Sequence, residues 1–141
     1  MKSYRFRALL QNHGWLENAT VSLDEAGEIV SVSPAEKPDS IYIDGYALPG
    51  FQNAHSHAFQ YAMAGLAERH STAAQAADDF WSWREAMYQL ALNINPEQMK
   101  IIAAMLYSEL LRNGFTSVAE FHYVHHDENG APYDNLAEMG A

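Results

Sequence analysis

The chain has 141 residues, 48% hydrophobic and 18% charged, which is enough apolar material for one modest core. A formal charge of −10 and a pI near 4.9 leave no basic stripe for nucleic acid or for an anionic membrane surface. There is no cysteine, so disulfides and thiolate metal sites are excluded and any metal ligands must be His, Asp or Glu. The first ten residues are basic but lack the apolar core of a signal peptide, and no run approaches the roughly 18 apolar residues of a membrane span. These features predict a cytoplasmic protein without nucleic-acid or membrane partners. An acidic chain can still bind a small anion through one locally placed Arg.

Residues 1–47 read as part of a small β domain. Val21–Leu23 and Ile29–Val32 flank Asp24-Glu-Ala-Gly27, a turn signal that predicts a hairpin. Pro34 and Pro38 mark a loop, and Ile41–Ile43 is a further short strand closed by Asp44-Gly45. About four short strands are too few to bury both faces of a sandwich. His13, next to a Gly, reads as turn surface.

From Leu48 the pattern changes. An extended segment, Leu48 to His57, hands over to Phe59, Ala62, Met63 and Leu66 at helical spacing. Ser71 to Ala77 is small and polar, hence a loop, and Asp78 or Asp79 can cap a helix with Phe80, Trp83, Met87 and Leu90 on one face. Asn95-Pro96-Glu97-Gln98 is a variant capping box and opens a helix through Met99, Ile102, Ala103, Leu106 and Leu110, with Gly114 as the residue past its end. Met63, Met87, Met99 and Met105 read as core filler. Phe115 to Val124, β-branched and aromatic, is a second strand, and His125 to Gly130 is a polar turn. Strand, helices, strand predicts a β/α unit with two parallel strands, which cannot stand alone. Residues 48–141 therefore read as the opening of an α/β barrel or sheet.

His55-Ser-His57 carries the most chemistry. In a strand the two imidazoles face the same way, with Cα atoms roughly 6.5 Å apart, and both can reach one metal ion. The competing reading is a pair of strand-end histidines that hydrogen-bond their neighbours. A catalytic zinc takes about three protein ligands plus an open position. His70, Glu120, His122, His125 and His126 are the other candidates, and Glu120 and His122 would share one face of the second strand. A solvated loop is the simpler account of His125 and His126. From spacing alone, Arg84 among Phe80, Trp81 and Trp83 reads as a surface ion pair or as stacked on Trp81. A clamp on a substrate carboxylate is the alternative. Gln60 and Tyr123 could orient a substrate or satisfy a neighbour.

Leu48-Pro-Gly-Phe-Gln-Asn-Ala-His-Ser-His-Ala-Phe-Gln60, followed by Ala62-Met-Ala-Gly-Leu-Ala-Glu68, resembles the amidohydrolase superfamily. Asp79-Phe-Trp-Ser-Trp-Arg-Glu85 and Ala119-Glu-Phe-His-Tyr-Val-His-His-Asp127 narrow the likeness to the formimidoylglutamate deiminases of histidine degradation. One departure is Tyr61, where that family more often has Arg. The resemblance implies a (β/α)8 metal-dependent hydrolase barrel with one zinc, preceded by part of a small β-sandwich. It implies that His55 and His57 are metal ligands and that Gln60, Arg84 and Tyr123 bind a small anionic, amino-acid-derived substrate. The reaction implied is zinc-dependent hydrolysis of N-formimidoyl-L-glutamate to N-formyl-L-glutamate and ammonia, and a homodimer is open to the complete protein. The remaining ligands and the acid/base residues belong to later strands, so no catalytic residue is expected within this chain. On this reading the chain is an N-terminal fragment, inactive in isolation. The alternatives are another deaminase of the superfamily, or a truncated non-catalytic chain acting through subunit association.

Overall fold

The computed structural model describes residues 1–65 and 80–140, which fall into two units, 1–50 and 51–141. Leu66, His70, the 71–77 loop and the Asp78 or Asp79 cap lie outside the described residues.

The first unit is a five-stranded sheet: β1 (Lys2–Gln11), β2 (Gly14–Glu17), β3 (Thr20–Leu23), β4 (Ile29–Ser33) and β5 (Ile41–Ala47). The path β2-β1-β3-β4 is antiparallel, while β5 lies parallel to β1. The β3–β4 hairpin turns where expected. Asp24 Oδ1 accepts from the backbone N–H of Ala26 and Glu28, and Gly27 takes φ +87°, a left-handed conformation that glycine adopts without a steric cost. His13 sits in the turn between β1 and β2. Two features depart from the sequence reading. The ten-residue β1 is the organising strand, and β5 runs on through Asp44-Gly45 to Ala47, absorbed by a register shift opposite Phe6 and Ala8. The buried residues are small, namely Ala8, Ala19, Thr20, Val21 and Ser22, while Ile29, Val30, Ile41, Ile43 and Tyr46 are exposed. This sheet has little core of its own.

In the second unit β6 (Phe51–Ser56) pairs in parallel with β7 (Phe115–Glu120). Between them come a 3₁₀ turn (Ala58–Met63), α1 (Phe80–Asn93) and α2 (Pro96–Arg112). The parallel β/α unit is as expected, and the handover after His57 is 3₁₀ rather than α-helical. The capping box of α2 is complete: Asn95 Oδ1 accepts from Gln98 N–H and Gln98 Oε1 accepts from Asn95 N–H. At its other end Gly114 has φ +85°.

One core ties these elements together: Phe59 and Met63 from the 3₁₀ turn, Met87 and Ala91 from α1, with Ile94, Met99, Val124 and Met139. Trp83, Leu90 and Ile102 pack against it. Met105, expected as core filler, is 53% exposed, and Phe80 is also on the surface. The segment 121–124 leaves the strand, since β7 ends at Glu120, so the alternation expected to continue through Val124 stops there. The described residues place α/β structure around a parallel strand pair.

Candidate functional site

The site forms where β6 and β7 end side by side. Asn53 pairs with Val118 and Ser56 with Glu120, so β6 spends three residue steps on two of β7. Such a bulge re-aims the side chains beside it. Here it brings the His55 and His57 rings to a centroid separation of 4.6 Å, nearly perpendicular, with their Nε2 atoms 2.9 Å apart.

His57 lies just past the end of β6 and is held from β7. Its Nδ1 is 2.6 Å from the Phe121 carbonyl oxygen. A carbonyl only accepts, so Nδ1 carries the proton, and in the neutral ring the lone pair sits on Nε2. That lone pair points at His55. Two imidazole nitrogens on one tetrahedral zinc, each about 2.0–2.1 Å from it, stand roughly 3.3 Å apart. The pair is therefore close to the separation a shared metal requires, and a ring whose far nitrogen bonds a backbone carbonyl is the usual second-shell arrangement of a metal-bound histidine. The donor set fits a divalent metal of zinc's character. Among the described residues no group of three His, Asp or Glu side chains converges to hold a metal ion.

Beside the pair stand two of the three expected substrate contacts. The Tyr123 ring centroid is 5.6 Å from that of His57. Gln60 Nε2 donates to the Tyr123 hydroxyl at 2.7 Å, and that hydroxyl donates to the sulfur of Met87 at 3.1 Å. The buried Met87 is thus more than filler, because it links Gln60 and Tyr123 to α1. No sequence pattern distinguishes this methionine from its neighbours.

Arg84 lies on α1 one turn before Met87. Its Nη2 donates to the Tyr88 hydroxyl at 3.0 Å, and its guanidinium lies over the rings of Tyr88 and Trp81 at 4.9 and 5.7 Å. The stacking expected from spacing is therefore present. It also orients the guanidinium, so it does not decide against a carboxylate-binding role.

The other candidates separate from the pair. His122 hydrogen-bonds the Val124 carbonyl and faces the ring of His125 at 5.0 Å. His126 is bridged to Pro132, in a turn closed by Asp127 Oδ1, which accepts from the N–H groups of Asn129 and Ala131. The bond from Ala131 leads in holding the Asp127 carboxyl below its ordinary range. Glu120 joins no metal-binding group with the pair. Its Oε1 accepts from Ala58 N–H at 2.7 Å, and it lines a cavity of ≈ 440 Å³ with His122 and Tyr107. Burial, then the charge of Glu120, raises the Tyr107 phenol above its usual value. Sequence reasoning missed the Phe121 carbonyl altogether, since a backbone acceptor has no signature in residue type.

The sequence model of the Amidohydrolase family matches residues 46–139. A formimidoylglutamate deiminase from Pseudomonas aeruginosa is 46% identical over 134 residues, which is 94% of this chain and 29% of that protein. The crystal structure of an amidohydrolase from Brucella melitensis superposes with a TM-score of 0.84 at 45% identity, covering 99% of this chain and 30% of that one. The chain thus spans under a third of the length of either relative, and the resemblance drawn from its motifs is borne out. It belongs to the amidohydrolase family.

Proposed function

We propose that this chain is the N-terminal part of a zinc-dependent, cytoplasmic deiminase that hydrolyses N-formimidoyl-L-glutamate to N-formyl-L-glutamate and ammonia, a step of histidine degradation. The observation that carries the reading is the convergence of His55 and His57 Nε2, with the His57 tautomer set by Phe121. The likeness to a deiminase of that name supports the substrate.

His55 and His57 would hold the zinc, with further ligands coming from later strands of a (β/α)8 barrel, and residues 1–47 would contribute to a small β-sandwich. When bound, zinc supplies Lewis acidity and so a hydrolytic nucleophile near neutral pH. Water adds to the formimidoyl carbon and its C–N bond to the terminal nitrogen breaks, releasing ammonia. Gln60 and Tyr123 stand beside the histidine pair, where an amide and a phenol orient a polar substrate by hydrogen bonds. Arg84, preset by Tyr88 and Trp81, offers a planar fork for a carboxylate. No residue of this chain is assigned as the general acid or base. A homodimer is the proposed assembly of the complete protein.

The test is ammonia release from N-formimidoyl-L-glutamate by the complete protein. Turnover is the expected result. No release, together with good turnover of a nucleobase, would move the assignment to another deaminase of the family.

A further inference from the structure

We infer that Glu120 is a positioning residue for the His55/His57 pair, acting through the backbone of Ala58. This rests on the metal-site reading given above, and it adds a role for a carboxylate bonded to the backbone next to His57.

His57 occupies the N-cap position of the 3₁₀ turn Ala58–Met63, where Ser, Thr, Asp or Asn would normally bond the first free N–H groups. Its imidazole makes no such bond, because Nδ1 is committed to Phe121 and Nε2 to His55. The cap comes instead from across the sheet. Glu120 Oε1 accepts from Ala58 N–H at 2.7 Å, and its negative charge sits where the turn's N–H dipoles favour it.

Glu120 and Phe121 therefore grip three consecutive residues of the other chain segment. Phe121 N–H donates to the Ser56 carbonyl at 2.9 Å, the Phe121 carbonyl accepts from His57 Nδ1–H, and Glu120 Oε1 accepts from Ala58 N–H. The backbone on both sides of His57 and its ring are each tied to the end of β7. The bulge in β6 has interrupted regular ladder pairing here, so these bonds stand in for it. Glu120 Oε2 is buried, with the Tyr107 phenol near enough for the carboxylate to raise its pKa.

The test uses two variants of the complete protein, with zinc affinity read by chelator competition and thermal midpoints measured on the metal-free form. Glu120→Asp keeps the charge but withdraws the carboxylate by one methylene, so the Ala58 bond is lost. It should weaken zinc binding about 10- to 100-fold, the range for second-shell changes at metal sites. Glu120→Gln keeps an acceptor at the same reach and should bind zinc within a few-fold of wild type. The metal-free midpoints separate the effect from general destabilisation: the zinc affinities should follow the Ala58 bond whether or not the midpoints move. Equal affinity in both variants, or loss in Glu120→Gln alone, would overturn the inference. A wild-type protein that binds no zinc would instead overturn the metal-site reading beneath it.

Discussion

Residues 1–50 make about half of their sheet from neighbours in sequence, β1 turning directly into β2 and β3 into β4 across Asp24–Gly27, and the rest from β1 pairing with β3 and β5. Among the described residues of 51–140 two strands pair, and their key contact joins Ser56 to Glu120 across both helices. The first unit buries small side chains, and no three of its His, Asp or Glu side chains converge to hold a metal ion. The second unit buries Phe59, Met87 and Val124 and places the histidine pair at the end of its strands. Local pairing builds a sheet at low entropic cost. Placing two imidazoles within 3 Å of each other takes the long-range pairing, because the groups that orient His57 lie more than sixty residues away. The geometry of the histidine pair depends on this long-range pairing in the second unit.

The largest effect that sharpens this contrast is expected from His57→Ala in the complete protein. Zinc content should fall to background and deiminase turnover by more than about a thousandfold, since a ligand matters more than the second-shell groups worth 10–100-fold. In the first unit Arg7→Ala, which removes the exposed ion pair with Asp44, should leave both unchanged. A large loss of zinc from Arg7→Ala would break the contrast. Next, Phe59→Ala empties a fully buried position of the second unit and should cost about 3–5 kcal/mol by urea unfolding. Arg84→Ala should raise KM for N-formimidoyl-L-glutamate about 10- to 100-fold with zinc content intact, the loss of one charge-assisted contact. A KM unaffected by that change would return Arg84 to a surface role.

Smaller effects test the frame around the site. Asn95→Ala removes the capping box of α2 and should cost about 1 kcal/mol without altering zinc affinity. The Asp127 carboxyl is held below its ordinary range, so its contribution is present above the usual carboxylate pKa and disappears as pH falls through the depressed folded value. Asp127→Asn should flatten that part of the acid limb in a pH series of thermal midpoints, and an unchanged limb would show that the turn does not contribute.

Much of this arrangement was legible in the chain itself. The β3–β4 hairpin, the α2 capping box and the parallel pairing of β6 with β7 followed from turn residues, an Asn-Pro-Glu-Gln start and strand–helix order. The His55/His57 pair followed from period-two spacing, although the bulge in β6, which no residue type announces, sets its final geometry. Glu120 was visible as a candidate metal ligand on the second strand, but its bond to the Ala58 backbone depends on a register that spacing cannot supply. The same holds for Met87, one methionine among several at helical spacing until Tyr123 and Gln60 meet its sulfur. The exposure of Met105 was missed because an apolar stripe on a helix does not say which part of it this chain covers.

The most direct test of the central claim, that His55 and His57 form one half of a zinc site, is metal analysis of the complete protein beside a His55→Ala/His57→Ala double variant. One zinc per polypeptide is expected in the first and none in the second, with both folded by circular dichroism. The isolated 141 residues, with two of the proposed ligands and not the rest, should bind zinc far more weakly than the complete protein. Full zinc occupancy in the double variant would contradict the account.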